Sequence, residues 1–126
     1  MDKSRVYEAP SQLRLNHWGF SGDWTVKREL AALNKANGRI VHRFHARDVH
    51  LVMGPTRPTA SLRFRVLIDG HPPRGAHGAD VDAQGYGTLT GQRMYQLIRQ
   101  TAPVMERTFE IEFLDPGAEV FAFTFG

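Results

Sequence analysis

Two histidines, His45 and His50, are the residues whose type and spacing best suit chemistry in this chain. They lie in the stretch 38–54, GRIVHRFHARDVHLVMG, where apolar and polar residues alternate with a period of two. That period is typical of strands with one buried and one open face. If two strands fold back on each other through a loop at Arg47-Asp48, His45 faces His50 across the hairpin. Two imidazoles on one face could supply two ligands to a metal ion.

A metal site at this histidine pair is disfavoured because a third ligand is missing. Catalytic zinc usually has three protein ligands, and His42 should point to the opposite strand face. The spacing of His42 and His45 also differs from the tight His-x-His of a cupin-type enzyme, since positions i and i+3 of a strand face opposite ways. We therefore predict no metal and no cofactor, and interpret the pair as part of a polar surface.

Two acidic patterns are more typical of turns and solvated strands than of catalysis. Asp80-Val81-Asp82 begins like a calcium loop, but Gly91 stands where the last carboxylate ligand should be, so a glycine-rich turn is predicted. Glu110 and Glu112 share one strand face, an arrangement that the two carboxylates of a glycosidase can have. Outward charges on a strand are usually solvated, and we expect Arg63 or Arg65 to face these glutamates across the sheet.

Four aromatic residues could form a platform on which a sugar stacks: Trp18, Trp24, Tyr86 and Tyr95. Aromatic rings present apolar faces that match the C–H surface of a pyranose. For the two tryptophans we favour core packing, because large aromatic side chains dominate cores. Tyr86, in a glycine-rich loop, and Tyr95, whose hydroxyl needs a partner, are the better ligand-binding candidates.

The elements that position these residues are predicted to be strands. Alternation or a short apolar run marks 24–30, 40–46, 49–53, 62–68, 91–100, 109–113 and 120–125. The segment 91–100 also suits a helix, but its surroundings favour strand. Turn signals at 21–23, 34–38, 69–73 and 115–117 separate these segments. Short strands at regular spacing predict an all-β, jelly-roll β-sandwich of two antiparallel sheets.

Specific side chains are assigned to the core and to one long loop. Phe44, Phe64 and Ile111 are predicted core residues, and Phe121, Phe123 and Phe125 are expected to share one face. The loop 70–87 holds five of the twelve glycines. Long loops in compact domains are usually functional or mobile.

Size and composition bound the function. A chain of 126 residues is one domain, for which we predict a leader or linker at 1–12 and a β-sandwich at 13–126. It contains no cysteine, which excludes thiolate chemistry within it. A net charge of +3 without a run of like charges argues against nucleic-acid binding. No apolar run is long enough to cross a membrane, so no direct membrane insertion is expected.

Six stretches together resemble the C-terminal domain of DipZ-type proteins: LNHWGFSGDWTV, GRIVHRFHARDVHLVMGP, RFRVLIDG, HGADVD, GQRMYQLIRQ and RTFEIEFLDPGAEVFAFTFG. In that family a membrane-embedded CcdA-like part and a TlpA-like thioredoxin domain precede this domain. The resemblance, over residues 13–126, implies a jelly roll like that of carbohydrate-binding modules, an extracytoplasmic location, and association with thiol–disulfide exchange and cytochrome c maturation. The family's C-x-x-C motif has no counterpart here, so no redox residue carries over.

These observations together indicate a non-catalytic accessory domain that works by binding. The expected partners are the upstream thioredoxin-like domain of the same protein, a glycan or an envelope protein. The candidate contact residues are Arg43, His45, His50, Tyr86, Tyr95 and Gln96. Two alternatives remain open, a small enzyme on the same jelly-roll fold and a purely structural spacer.

Overall fold

The computed structural model describes residues 3–7, 18–101 and 103–126, which form strands and one short 3-10 helix, η1. The strands are β1 (Lys3–Tyr7), β2 (Trp18–Val26), β3 (Ala31–Leu33), β4 (Gly38–Phe44), β5 (Asp48–Pro55), β6 (Leu62–Ile68), β7 (Tyr86–Leu89), β8 (Arg93–Arg99), β9 (Arg107–Phe113) and β10 (Ala118–Phe125), and η1 spans Arg74–Ala76. The all-β prediction is confirmed, including a strand within 91–100. In the described part of the chain no helix has the length and apolar character needed to cross a membrane.

The strands form two antiparallel sheets that share β2. Sheet A has the order β1-β2-β3-β10-β5-β8, and sheet B has the order β2-β4-β9-β6-β7. The first part of β2 pairs with β4, and its last part, from Trp24 to Val26, pairs with β3. The turn predicted at 21–23 is therefore wrong. This segment is the point where β2 passes from one sheet to the other, at Gly22, whose φ is +112°.

The predicted hairpin at 38–54 is also wrong. β4 pairs with β2 and β9 in sheet B, whereas β5 pairs with β10 and β8 in sheet A. The connection between them is an arch from one sheet to the other. Phe44 and Leu51 both face the core, as predicted, but from opposite sheets rather than as cross-strand partners.

The core lies between the two sheets and is rich in aromatic rings. Phe64 has no exposed surface, and its ring lies 6.4 Å from both Tyr95 and Phe113. The predictions of Phe44, Phe64 and Ile111 as core residues are confirmed. Trp24 is fully buried as well, and its indole N–H donates a 2.9 Å hydrogen bond to the Ser21 carbonyl.

β10 departs from simple alternation because of a bulge between Val120 and Ala122. After the bulge, Phe123 and Phe125 stack on each other with ring centroids 6.1 Å apart, and both rings meet His42 edge-on. Phe121 lies at the bulge and lines a separate shallow groove with Phe20. The predicted common face therefore holds for two of the three phenylalanines.

The glycine-rich loop 70–87 is tied to the sandwich by backbone hydrogen bonds. The Val66 N–H donates to the Gly85 carbonyl at 2.8 Å, and the Gly78 N–H donates to the Leu97 carbonyl at 2.9 Å. Asp82 accepts the N–H groups of Gln84 and Tyr86, both at 2.9 Å. These bonds fix the path of the loop. An added Cβ would meet backbone at Gly78 and Gly85, whereas Gly70 and Gly75 have open space around them.

Two predictions concern the N-terminal region. The predicted leader or linker, 1–12, contains β1, which pairs with β2 from Lys3↔Val26 to Tyr7↔Gly22. The domain boundary at residue 12 itself stays a prediction. Alternation also predicts that a segment begins at Leu13 and Leu15, and these two residues lie outside the described part of the chain.

Candidate binding groove

A groove of about 740 Å³ crosses the edge of the sandwich where three connections meet. Its lining comes from β2, β3 and the connection between them (Thr25, Lys27, Ala32), the β5–β6 loop (Thr56, Arg57, Ala60) and the β9–β10 turn (Asp115, Pro116, Gly117). We call it the main groove. Its volume falls within the range of about 300–1,000 Å³ that is usual for ligand sites.

The main groove combines an apolar floor with a polar rim. Leu33 and Leu62 are almost completely buried beneath it, and Ala60 is half-buried. Lys27 and Arg57 lie exposed on the rim, and neither forms an ion pair with another described residue. Such a surface can bury apolar groups of a ligand and bind acidic groups at its edge.

An ion pair fixes the β9–β10 side of the groove. The Arg63 guanidinium donates from Nε at 3.0 Å and from Nη2 at 2.8 Å to the two oxygens of Asp115. The Arg63 backbone N–H adds a 2.8 Å bond. The side-chain hydrogen bonds from Arg63 stabilise the carboxylate most strongly, and the backbone N–H adds to their effect. Together they lower the pKa of Asp115 to about 2.

Side-chain hydrogen bonds fix the opposite side of the groove. The Asn34 amide donates to Asp23 at 2.9 Å and to the Thr25 hydroxyl at 3.1 Å. Asn34 and Thr25 both line the groove. The rim is therefore held in shape before any ligand arrives, which lowers the entropy cost of binding.

The N-terminal strand enters the domain beside this groove. Lys3 of β1 is the backbone partner of Val26, the residue directly before Lys27. β1 therefore begins at the rim formed by β2 and β3.

Arg43, the first of the sequence-predicted contact residues, is already engaged. Its Nε donates to Glu106 at 2.7 Å, and its Nη1 donates to the Thr108 hydroxyl at 2.8 Å. Asp69 lies 3.8 Å from the same guanidinium. These partners give Arg43 a structural role on the outer face of sheet B.

The two histidines do not meet across a hairpin. His45 is exposed in the arch after β4, whereas His50 lies half-buried on β5 of sheet A. The cross-strand partners of His50 are Gln96 of β8 and Thr124 of β10. The structure therefore brings His50 and Gln96 together and separates both from Arg43. No described group of three or more His, Asp or Glu side chains is placed to hold a metal ion.

The two tyrosines are in opposite environments. Tyr95 has no exposed surface, and its hydroxyl donates to the Gly91 carbonyl at 2.7 Å and accepts the Thr90 N–H at 3.1 Å. Its hydroxyl therefore serves the fold, contrary to our expectation of an accessible ring. Tyr86 is 46% exposed, with the Arg65 guanidinium 4.8 Å from the ring centroid. The Trp18 side chain lies outside what the structure describes.

The acidic patterns have structural roles. Asp80 accepts a 2.7 Å hydrogen bond from Arg93 and another of 2.7 Å from the Gln96 N–H, and the bond from Arg93 is the main cause of its lowered pKa. Glu110 and Glu112 form ion pairs with Arg39 of β4, at 3.5 and 3.7 Å. The expectation that Arg63 or Arg65 faces these glutamates across the sheet is confirmed for Arg65, the cross-strand partner of Glu112. Arg63 binds Asp115 instead.

The sequence did not single out the main groove. Its lining comes from three connections far apart in the chain, and none of them carries a motif. The turn signal at 115–117 was recognised, but only as punctuation between strands. Burial of Leu33 and Leu62 beneath one depression depends on the sheet order, which alternation does not specify.

The structure defines a jelly-roll β-sandwich domain with a groove whose sides are fixed by side-chain hydrogen bonds. The chain belongs to the family described as "Thioredoxin like C-terminal domain", whose model matches residues 1–126. No curated protein sequence matches the chain.

Several solved structures are similar to this chain. A family two carbohydrate esterase from Clostridium thermocellum, in complex with cellohexaose, superimposes with a TM-score of 0.67 at 11% identity, over 87% of this chain and 31% of that one. A family two carbohydrate esterase from Cellvibrio japonicus gives 0.63 at 13% identity, over 98% and 33%. The module CsCBM6-3 from Clostridium stercorarium, in complex with cellobiose, gives 0.44 at 13%, over 98% and 81%. The chain thus spans about a third of the length of these esterases.

Proposed function

We propose that this chain is a non-catalytic accessory domain that docks onto an upstream thioredoxin-like domain of the same protein. The main groove is the docking surface. The observation that carries this proposal is the pairing of Lys3 with Val26, which puts the start of β1 at the groove rim. A domain tethered there has a high effective concentration at the groove, so even a weak contact forms readily.

The chemistry of the groove suits a protein partner. Its apolar floor under a polar rim matches the usual layout of a protein interface. Lys27 and Arg57 present two positive charges for acidic groups of the partner, and Glu119 on β10 presents a negative one. Acidic side chains beside an apolar residue on the thioredoxin-like domain would complement this pattern.

The parent protein is, in this proposal, a membrane-anchored thiol–disulfide exchange protein of DipZ type that acts in cytochrome c maturation outside the cytoplasm. Support comes from the resemblance over residues 13–126 and from the family model that matches the chain. Because this chain contains no cysteine, the redox chemistry would belong to the upstream domain. The accessory domain would position that domain or its substrates.

A glycan is the competing ligand, since one of the similar esterases is in complex with cellohexaose. The described lining of the main groove contains no aromatic ring, although sugars usually stack on aromatic faces. Catalysis is the other competitor, because several similar structures are esterases. A binding experiment with both kinds of ligand distinguishes these competitors from docking.

The test uses this chain, isotope-labelled, with the separately expressed thioredoxin-like domain of its parent. We expect amide shifts in NMR spectra at Ala32, Asn34 and Arg57 on addition of that domain. Arg57→Glu should weaken the association by about tenfold, as reversal of an interface charge often does. Arg74→Glu, which makes the same change of charge on an exposed residue outside the groove, is the matched control.

Several results would contradict docking. Shifts on addition of cello- or xylo-oligosaccharides, but none with the thioredoxin-like domain, would establish a glycan-binding role instead. No shifts with either would indicate a structural spacer. Release of acetate from acetylated sugars by the pure chain would show an enzyme.

A further inference from the structure

A second cavity, of about 410 Å³, lies at the other end of the sandwich. It forms where β6, η1 and the β8–β9 connection meet, and Pro72, His71, Gln100, Thr101 and Arg107 contribute to its lining. We call it the end cavity. β6 contributes Leu62 to the main groove and Ile68 to the end cavity, so about 20 Å of strand separates the two sites.

Arg107 lines the end cavity, and the edge of its guanidinium that carries Nε and Nη2 has no oxygen acceptor among the described residues. Nε of Arg107 is buried and has no hydrogen-bond acceptor among the described residues. Nη2, which points to the same side as Nε, has the Met105 sulfur at 3.5 Å. A thioether is a weak acceptor. A buried donor in this state is unusual in native proteins and calls for a ligand or water.

Two other arginines of this chain show what this side of a guanidinium binds. Nε and Nη2 of Arg63 hold Asp115 at 3.0 and 2.8 Å. The same two atoms of Arg47 hold Asp48 at 3.1 and 3.0 Å. Paired N–H donors match the two oxygens of a carboxylate, which makes this one of the stronger polar contacts in proteins.

The nearby Asp69 does not take this place at Arg107. It lies 3.5 Å from Nη1, on the other side of the guanidinium, and its Oδ1 accepts the Thr108 N–H at 2.9 Å. Asp69 also lies 3.8 Å from Arg43. The charged side chains near the end cavity carry a net positive charge, which favours an anion. Arg43 and Arg107 balance Asp69 and Glu106, and Arg74 adds one further positive charge.

We propose that the end cavity binds a small organic carboxylate through Nε and Nη2 of Arg107. Met105 covers this side of the guanidinium and must swing away when the ligand enters. Its side chain is unbranched and 52% exposed, so this movement costs little. The imidazole of His71 and the hydroxyl of Thr101 provide hydrogen bonds for hydroxyl or amide groups of the ligand. The amide nitrogen of Gln100 already donates to the Ala46 carbonyl at 2.8 Å, so Gln100 offers its amide oxygen.

The test is an NMR titration of the whole chain with two carboxylates, D-glucuronate and N-acetylglycine, and with neutral D-glucose. We expect the Nε–H signal of Arg107 to shift and saturate with at least one carboxylate and not with glucose. Comparison of the two affinities shows whether the cavity prefers a sugar acid or a peptide carboxyl group. No saturable shift with either carboxylate, or an equal response to glucose, would overturn the proposal.

Variants separate the site from a general surface effect. Arg107→Lys should weaken binding by about tenfold, because an ammonium lacks paired donors. Arg63→Lys, which changes an arginine at the main groove in the same way, should bind like wild type. Met105→Ala keeps Arg107 intact and should bind more tightly, since it uncovers the guanidinium. Unchanged affinity in either Arg107→Lys or Met105→Ala would contradict the assignment, and the second variant serves if the first does not fold.

Discussion

Lys3 and Val26 are backbone partners across the β1–β2 ladder, and Val26 is followed directly by Lys27 on the rim of the main groove. The start of β1 therefore lies beside the main groove, whose floor is apolar and whose rim is polar. A domain attached upstream would therefore lie within short reach of exposed Lys27 and Arg57. A tether that ends at this rim favours a contact at the groove over contacts elsewhere on the domain.

Phe64 should be a major source of stability. It has no exposed surface and packs between Tyr95 and Phe113. Phe64→Ala removes most of a buried ring and should lower the free energy of unfolding by about 3–5 kcal/mol, measured by chemical denaturation. Val104→Ala, at a side chain that is 42% exposed, should change it by less than about 0.5 kcal/mol. A loss below about 1 kcal/mol in Phe64→Ala would place the ring outside the core.

The carboxyl group of Asp115 should titrate near pH 2. Its hydrogen bonds from Arg63 lower its pKa from 3.8 to about 2. The bonded carboxylate therefore stabilises the fold fully above pH 3.8, and this contribution is lost as the pH falls towards 2. An NMR titration of the carboxyl carbon measures the pKa directly. Arg63→Gln should return it towards 3.8, and Arg65→Gln should leave it near 2, because Arg65 bonds to the Gln84 carbonyl.

The buried His42 should make the fold sensitive to mild acid. Burial lowers its pKa below 6.5, and its ring meets Phe125 edge-on. Between the folded pKa and 6.5 the unfolded chain binds more protons, so stability is full above pH 6.5 and declines as the pH falls below it. His42→Phe should make the unfolding free energy less dependent on pH between about 5 and 7, the range where histidine usually titrates. Urea denaturation at each pH measures this free energy. His45→Ala, at an exposed position, should keep the wild-type slope.

Gly85 should resist substitution by alanine. Its φ is +91°, and an added Cβ would meet the Val66 carbonyl oxygen and, at 3.1 Å, the Cδ of Pro73. Gly85→Ala should therefore lower the unfolding free energy by more than about 1 kcal/mol. Gly75→Ala, in the same loop but with open space around it, is the control and should stay close to wild type in a thermal melt. Equal stability of both variants would contradict a packing role for this glycine.

Alternation predicted most strands well because burial on one face has a direct sequence signature. The segment 62–68 was predicted as a strand and forms β6 with those bounds. Alternation does not say which strand is the neighbour, and for this reason the connection at Arg47-Asp48 was taken for a hairpin. The N–H groups of both residues donate to the Gly126 carbonyl, at 3.0 and 3.2 Å, so the far end of the chain holds this arch.

Predictions at the level of single functional residues were weaker for the same reason. Tyr95 was selected because a tyrosine hydroxyl needs a partner, and it finds that partner inside the protein at Gly91. Arg43 was selected because alternation puts it on the open strand face, yet Glu106 from a distant loop binds it. The contact roles of His45, His50, Tyr86 and Gln96 stay predictions, although the structure does not place them on one surface.

The most direct measurement of the central proposal is amide hydrogen exchange at the main groove, in the parent protein and in this chain alone. Docking of the thioredoxin-like domain predicts slower exchange of the Arg57 and Thr59 amides in the parent, because the docked domain covers the β5–β6 loop. The Thr101 amide, at the end cavity, should exchange equally in both. Equal exchange at Arg57 and Thr59 in the two proteins would contradict docking at this groove.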